Sequence, residues 1–200
     1  MRVMPATADV PERELIAWVK PVVGQGTVRC ALPHWRRVAV VGLVVIVSCT
    51  AHGMLYVNLT GSMPVGVYRK LAGVPQRGDL VVACLPIAVA RLALARGYVW
   101  RGRCPGKAAP IGKKVVAKAG DTVRVSPSGI AVNGMPIENT TPIARDSRGR
   151  TIDRVASGIY VVGQNEIWLL STYHPLSFDS RYFGPVAMTD VLSRVRPLHQ

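Results

Sequence analysis

The chain has 200 residues, of which 25 are Lys or Arg and 11 are Asp or Glu, so its formal net charge is +14. Hydrophobic residues make up 49% of it, which excludes a disordered polycation because a chain this apolar can bury enough surface to fold. Charges spread along most of the sequence exclude a protein that crosses a membrane several times. The basic excess is typical of proteins that contact nucleic acid, anionic membranes or acidic substrates, and composition does not choose among these.

One apolar segment, residues 38–59, contains no Lys, Arg, Asp or Glu. As a helix it would be about 33 Å long, which is enough to cross the hydrocarbon core of a bilayer. The sequence therefore predicts a single transmembrane helix between an N-terminal segment (1–37) and a C-terminal domain (60–200). A cleaved signal peptide is the alternative, but the basic region before the apolar segment is longer than such peptides usually have.

The basic residues around this segment predict its orientation. Arg36 and Arg37 directly precede it, whereas the first Lys or Arg after it is Arg69. By the positive-inside rule, residues 1–37 stay in the cytoplasm and residues 60–200 are exported. The exported part is itself basic, with 19 Lys or Arg against 8 Asp or Glu. This does not contradict the orientation, because long domains translocate largely regardless of their charge.

The exported domain has the pattern of a mainly β fold with short helices. Apolar runs with β-branched residues predict strands within 78–85, 113–117, 158–170 and 191–195. Residues 122–125 and 130–132 alternate in polarity around a Ser-Pro-Ser-Gly turn, which predicts a hairpin. A helix is predicted over Ile87–Arg96, because good helix formers lie there between Pro86 and Gly97.

Two of the four cysteines, Cys84 and Cys104, lie in the exported domain. In an oxidising compartment their thiols could form a disulfide, and two unpaired thiols are the alternative. The sequence contains neither a CxxC motif nor clustered histidines, so no metal site is expected. No cofactor is expected either.

Three segments carry side chains suited to catalysis: Asn58–Tyr68 with Ser62, Pro110–Asp121 with the lysine pair, and the final motif Ser171–Pro185. In this order, after an N-terminal anchor, they resemble the type I signal peptidase superfamily of Ser-Lys proteases. The short serine motif, the two cysteines and the long final motif are most similar to its conjugative-transfer branch, the TraF-type peptidases. The resemblance covers about residues 38–198 and implies a signal-peptidase-like β-domain.

This resemblance implies that Ser62 is the nucleophile and Lys113 its general base. Lys114 is the alternative base. Neighbouring strand residues face opposite sides, so only one of the two can face Ser62, and the spacing to Gly120 favours Lys113. A lysine accepts a proton only when it is neutral, so we expect burial to lower its pKa from the usual value of about 10.4.

The remaining site residues are carried over from the same resemblance. The Thr60 hydroxyl and the Ser62 backbone N–H match the oxyanion hole, which stabilises the tetrahedral intermediate. Ser177 matches a hydroxyl that orients the lysine amine. Asp179 and Arg181 match the supporting pair of the final motif, and Asp179 is expected to be important for catalysis.

The sequence thus predicts a serine endopeptidase anchored in the bacterial inner membrane, with a cytoplasmic N-terminus and a periplasmic catalytic domain. Its expected partners are an exported precursor and membrane lipid. In the conjugative branch the precursor would be a pilin or mating-pore subunit, and some members also join pilin ends by transpeptidation. The alternative is a non-catalytic membrane component of a conjugation or secretion apparatus. Nucleic acid is not expected as a partner, because the sequence lacks the aromatic and basic platform of single-strand binders.

Overall fold

A computed structural model of the chain describes residues 33, 35–36, 38–42 and 53–198. Contacts divide the chain into two units, residues 1–43 and 44–200. In the first unit, residues 35–36 and 38–42 are helical, and the side chains of Trp35, Val38 and Val41 are exposed. Within the described ranges no helix is both long enough and apolar enough to span a bilayer. Residues 43–52 of the predicted transmembrane segment lie outside those ranges.

The second unit is mainly β. Its strands are β1 (Leu55–Asn58), β2 (Gly66–Leu71), β3 (Leu80–Ala83), β4 (Ile111–Lys118), β5 (Thr122–Ser126), β6 (Gly129–Val132), β7 (Met135–Pro136), β8 (Gly158–Val161), β9 (Glu166–Leu170), β10 (Val186–Ala187) and β11 (Val191–Pro197). Its helices include α1 (Ile87–Arg96) and the single turn α2 (Ser180–Phe183). A larger antiparallel sheet has the order β1-β2-β11-β3-β4-β9-β10, and a smaller one has the order β7-β6-β5-β8.

Strands β4 and β9 are buried on both faces, which places them at the centre of the unit. Ile167 and Leu169 of β9 pack with Val115 of β4 in one apolar cluster. The alternate residues, Trp168 and Leu170, pack against the smaller sheet in another cluster. This follows from the two-residue period of a strand, which sends successive side chains to opposite faces. A polar group at one of the buried positions of these strands, such as Lys113, is therefore held in a largely apolar surrounding.

The predicted helix and hairpin are confirmed. Helix α1 ends at Gly97, whose positive φ of 73° lets the chain reverse, and the Tyr98 N–H donates to the Ala93 carbonyl at 2.8 Å. This helix end places Tyr98 beside the clefts described below. The hairpin is formed by β5 and β6, paired from Val123 opposite Val132 to Ser126 opposite Gly129. The predicted run 158–170 is divided into β8 and β9.

The predicted transmembrane helix does not extend to residue 59. Leu55–Asn58 form β1, which pairs antiparallel with β2 from Leu55 opposite Arg69 to Asn58 opposite Gly66. The absence of charges predicts a helix through the whole apolar run. Its last residues instead belong to the folded domain. There Tyr56 packs near the ring of Tyr68, and Asn58 is buried. The compact domain therefore includes β1, before the predicted boundary at residue 60.

Cys84 and Cys104 form a disulfide, with Cα atoms 5.6 Å apart. The bond connects the residue after β3 to the segment that follows α1, so it encloses that helix. Closing a loop of this length is worth about 3 kcal/mol in the chain-entropy model. The disulfide thus fastens the segment that carries Tyr98 to the central sheet.

Candidate active site

Ser62 lies in the turn between β1 and β2, and buried Asn58 holds this turn in shape. The Asn58 side-chain amide donates to the carbonyls of Thr60 at 2.9 Å, Met63 at 2.9 Å and Pro64 at 3.1 Å. Three carbonyls that would otherwise point in different directions therefore converge on one side chain. The turn is restrained from the other side by the Ser171 hydroxyl, which donates to the Ser62 carbonyl at 2.8 Å.

The Thr60 hydroxyl is engaged by the same asparagine. Because the Asn58 amide nitrogen faces three carbonyls, its oxygen is the atom that accepts from Thr60, from the hydroxyl at 2.9 Å and from the backbone N–H at 3.3 Å. The predicted role of Thr60 in an oxyanion hole thus requires its hydroxyl to rotate away from Asn58. The Ser62 N–H makes no hydrogen bond within the part of the chain that the structure describes, so it can donate to an oxyanion as it stands.

Lys113 lies on β4, is 2% exposed, and reaches Ser62. Its amine donates to Ser62 Oγ at 2.5 Å and to Ser177 Oγ at 2.7 Å. Burial lowers its pKa from the ordinary 10.5 to about 8; the negative charge of Asp179 raises the pKa and the positive charge of Arg181 lowers it. The amine is therefore neutral in a substantial fraction of molecules near pH 8, as a general base must be.

Lys114, the alternative base, does not share this environment. It is half-buried, and its amine makes no hydrogen bond to any described residue. It lies opposite Leu80 on β3, whereas Lys113 lies opposite the buried Val81. The structure thus brings Lys113, and not Lys114, to the serine hydroxyl.

Ser177 completes a triangle of polar atoms with the serine and the lysine. Its hydroxyl lies 3.3 Å from Ser62 Oγ as well as 2.7 Å from the lysine amine. The side chain is 6% exposed, and its backbone N–H donates to the His174 carbonyl at 3.2 Å. Ser177 is thus fixed where it can hold the Lys113 amine beside Ser62.

Asp179 and Arg181 form a buried ion pair that supports this triangle without joining it. The guanidinium donates to both carboxylate oxygens, from Nε and Nη2, at 2.8 Å each, and both side chains are fully buried. Arg181 also donates to the Ser177 carbonyl at 3.2 Å. The carboxylate accepts the Ser171 N–H at 3.0 Å and makes no hydrogen bond to Ser62 or Lys113.

Sequence reasoning missed two residues of the site. Asn58 lies in the apolar run predicted to be a membrane helix, and Ser171 is the first residue of the final motif; neither is assigned a role from the sequence. The signal that could have revealed Asn58 is an amide side chain four residues before the serine in an otherwise apolar segment. A Cβ at Gly112 would displace the end of the Met63 side chain, which lies beside Ser62.

Three clefts adjoin Ser62 among the described residues; one lies beside Lys114 and Thr172, and Tyr98 and Phe178 line the other two. The strand cleft, of about 270 Å³, is lined by residues 56–60, 98–100 and 109–113. The loop cleft, of about 500 Å³, is lined by parts of segments 143–152 and 174–178. The Tyr98 and Phe178 rings are 5.0 Å apart between centroids, so together they form a wall common to both clefts. An extended peptide bound across Ser62 has a cleft for each side of its reacting bond.

A buried lysine amine against a serine hydroxyl on a mainly β scaffold is the arrangement expected of a Ser-Lys peptidase. The chain belongs to the signal peptidase family, peptidase S26, whose family model matches residues 34–199. The family resemblance predicted from the sequence motifs is confirmed by this match and by the relatives below.

Those relatives carry names from conjugation. A plasmid transfer protein TraF of Escherichia coli is 38% identical over 143 residues, which are 71% of this chain and 81% of that protein. A conjugal transfer protein TraF of Agrobacterium fabrum (strain C58 / ATCC 33970) is 39% identical over 169 residues, 82% of this chain and 93% of that protein. Among solved structures, a signal peptidase I from Enterococcus faecalis is 19% identical, with 61% of this chain and 97% of that chain covered and a TM-score of 0.36.

Proposed function

We propose that this protein is a serine endopeptidase that processes exported precursors with Ser62 as nucleophile and Lys113 as general base. The observation that carries the proposal is the contact of the buried Lys113 amine with Ser62 Oγ at 2.5 Å. Burying an amine is costly, and the cost falls on the charged form, which favours the neutral base. A non-catalytic membrane component, the alternative function, gives no reason for a lysine buried against a serine.

The proposed reaction begins when the neutral Lys113 amine accepts the Ser62 proton as Oγ attacks the substrate carbonyl. Ser177 holds the amine in place, since its hydroxyl contacts both reacting groups. The Ser62 N–H donates to the developing oxyanion, joined by the Thr60 hydroxyl once that hydroxyl turns from Asn58. The protonated lysine then gives its proton to the leaving amine. Water or a second amine releases the acyl-enzyme, giving hydrolysis or transpeptidation respectively.

The proposed substrate is a pilin-like or mating-pore precursor of a conjugation system. The support comes from the relatives, which are named for plasmid and conjugal transfer, and from the signal peptidase family itself. We further propose that residues 38–54 contribute an anchor in the bacterial inner membrane, with the catalytic domain in the periplasm. The charge-free run, the preceding Arg36 and Arg37, and the Cys84–Cys104 disulfide all favour that placement.

The test is to express the full chain with a candidate pilin precursor from the same conjugation system and to compare it with Ser62→Ala. We expect a shortened product with the wild-type chain and an unprocessed precursor with the variant. Mass spectrometry of the product distinguishes hydrolysis, which adds water, from joining of the two ends. Equal processing by both chains would refute the role of Ser62.

The pH dependence of cleavage follows from the lowered pKa of Lys113. Because only the neutral amine accepts the Ser62 proton, kcat/KM is expected to rise with pH, with a midpoint near pH 8 set by the Lys113 pKa of about 8. An unburied lysine would place that midpoint more than two pH units higher. The measurement is a kcat/KM profile from pH 6 to pH 10 on a quenched peptide. A profile that falls across this range would contradict a lysine base.

A further inference from the structure

We propose that the loop cleft binds acidic side chains of the precursor on the leaving side of the reacting bond, with Arg145 as the residue that recognises them. This inference rests on the proposed peptidase function and adds to it a class of substrate. It is based on the charges that line the two clefts and on the way the loop carrying Arg145 is held.

The two clefts differ in charge. Among the described residues, Lys113 is the only charged side chain that lines the strand cleft, whose other walls include Tyr56, Asn58, Thr60 and Trp100. The loop cleft contains Arg145 and Asp146 and is also lined by Ile143, Ile152 and Leu176. A peptide segment in the strand cleft therefore meets no cation besides the proposed base, whereas one in the loop cleft meets Arg145.

The negative charge in the loop cleft is already neutralised. Asp146 accepts from the Tyr98 hydroxyl and from Arg150 Nε at 2.7 Å each, and from the backbone N–H groups of Arg148 and Arg150 at 2.9 Å. The hydrogen bonds from Tyr98 and Arg150 and the backbone N–H groups hold the Asp146 pKa well below its usual range, although its burial works in the opposite direction. The Asp146 carboxylate is thus ionised and already accepts four hydrogen bonds, so it has no free oxygen with which to bind a basic substrate side chain.

The Arg145 guanidinium, by contrast, has N–H donors that make no hydrogen bond to a described residue. It donates to the Gly149 carbonyl at 2.8 Å, and it forms no ion pair with any carboxylate of the described residues. Arginine has five N–H donors in a planar fork that matches a carboxylate. The unbalanced charge of the loop cleft is therefore positive, and its chemistry suits Asp or Glu.

The loop that carries Arg145 is held in place at both ends. The Ile143 N–H donates to the Tyr182 hydroxyl at 3.1 Å. The backbones of Arg145 and Thr151 pair across the loop in an antiparallel β-bridge. Arg96, at the end of α1, donates to the Thr151 carbonyl at 2.7 Å. Arg150 donates in return to the Arg96 carbonyl at 2.8 Å. A guanidinium on such a restrained loop loses less freedom on binding than one on a mobile loop.

The side of the substrate follows from the proposed reaction. The strand cleft is lined by Lys113, the proposed base, and by Thr60, the proposed oxyanion donor, so we assign the acyl part of the peptide to it. The leaving part then extends from Ser62 into the loop cleft, past Gly61 and Ser177. Acidic residues directly after the reacting bond would therefore meet Arg145.

The test uses the full-length protein in a non-ionic detergent and quenched peptides with alanines on the acyl side. The leaving side carries Glu-Glu, Gln-Gln or Lys-Lys, and a fourth peptide has Glu-Glu moved to the acyl side. We expect kcat/KM for Glu-Glu on the leaving side to exceed that for Lys-Lys by about tenfold at low salt, with the preference weakening as salt is added.

Arg145→Glu should reverse this order, whereas Arg148→Glu, on the same loop but outside the lining of the cleft, should leave it unchanged. If both variants changed the charge preference equally, the preference would come from the overall electrostatic field of the protein and not from a binding site at Arg145. A higher kcat/KM for the peptide with Glu-Glu on the acyl side would also overturn the proposal. So would equal kcat/KM values for all four peptides.

Binding of the same peptides to Ser62→Ala, followed by fluorescence anisotropy, separates this inference from the proposed function. If no peptide is cleaved but Glu-Glu binds Ser62→Ala more tightly than Lys-Lys in an Arg145-dependent way, the peptidase mechanism fails and the acidic subsite stands. If cleavage depends on Ser62 but neither rate nor binding depends on peptide charge, the peptidase stands and the subsite fails.

Discussion

Replacing Lys113 with Met is expected to lower kcat/KM by about three orders of magnitude while making the folded protein more stable at neutral pH. The loss follows from removal of the proposed general base, since general acid–base catalysis contributes up to about 10⁴-fold. The gain follows from burial, because the wild-type chain must bury an amine that would be charged in the unfolded state. Met has a similar length and no charge, so it fills the same apolar space.

The sign of the stability change can be derived from the lowered pKa. Lowering the Lys113 pKa from 10.5 to about 8 corresponds to a cost of about 3 kcal/mol. Between these two pH values the unfolded chain binds more protons than the folded one, so stability rises with pH across that window. Below about pH 8 the cost is fully present. The Lys113→Met variant should therefore be the more stable protein at pH 7, and its advantage should shrink towards pH 10.5.

The matched control is Lys114→Met, one residue along the same strand. Its amine makes no hydrogen bond to a described residue, so we expect near wild-type kcat/KM and a stability change under about 1 kcal/mol. Peptide cleavage and thermal melting at pH 7 and pH 9.5 measure both quantities. Loss of cleavage in Lys114→Met with retention in Lys113→Met would reverse the assignment of the base.

The elements predicted correctly from the sequence are those with local signals. Helix α1 is bounded by Pro86 and Gly97, and the β5–β6 hairpin is marked by its turn residues, so neither depends on distant contacts. Alternation along a strand allows only one of Lys113 and Lys114 to face Ser62, and the spacing to Gly120 favours Lys113; in the structure it is the Lys113 amine that contacts Ser62 Oγ. The register of β4 thus determines which of the two lysines lies next to Ser62.

What could not be predicted depends on groups that are distant in sequence or on the direction of a hydrogen bond. Strand β1 could not be predicted because it lies in a charge-free run, and hydropathy does not distinguish an edge strand from the end of a membrane helix. The family resemblance gave the position of Thr60 but not the direction of its hydroxyl, which is fixed by Asn58. The same holds for Asp179. The motif indicates that this residue is important, but only the folded structure shows that its carboxylate faces Arg181 and Ser171.

Replacing Asp179 with Asn is expected to destabilise the protein by about 3 kcal/mol, since it leaves the fully buried Arg181 guanidinium without its counter-charge. The matched control is Arg77→Gln, which removes one partner of the Arg77–Asp121 ion pair. The Arg77 side chain is 54% exposed, so the change should be less than about 1 kcal/mol. Urea denaturation of the full-length variants measures both. Equal small changes would mean that the buried pair does not support the fold.

The same variant distinguishes a positioning role of Asp179 from direct catalysis. The Asp179 charge raises the pKa of Lys113 and the Arg181 charge lowers it. Asp179→Asn should therefore move the midpoint of the kcat/KM profile below that of the wild type, and Arg181→Met should move it above. Both variants should keep some Ser62-dependent cleavage, at a lower maximum because Ser177 and Ser171 lose their restraints. If Asp179 itself accepted the serine proton, Asp179→Asn would abolish cleavage at every pH, with no displaced midpoint to measure.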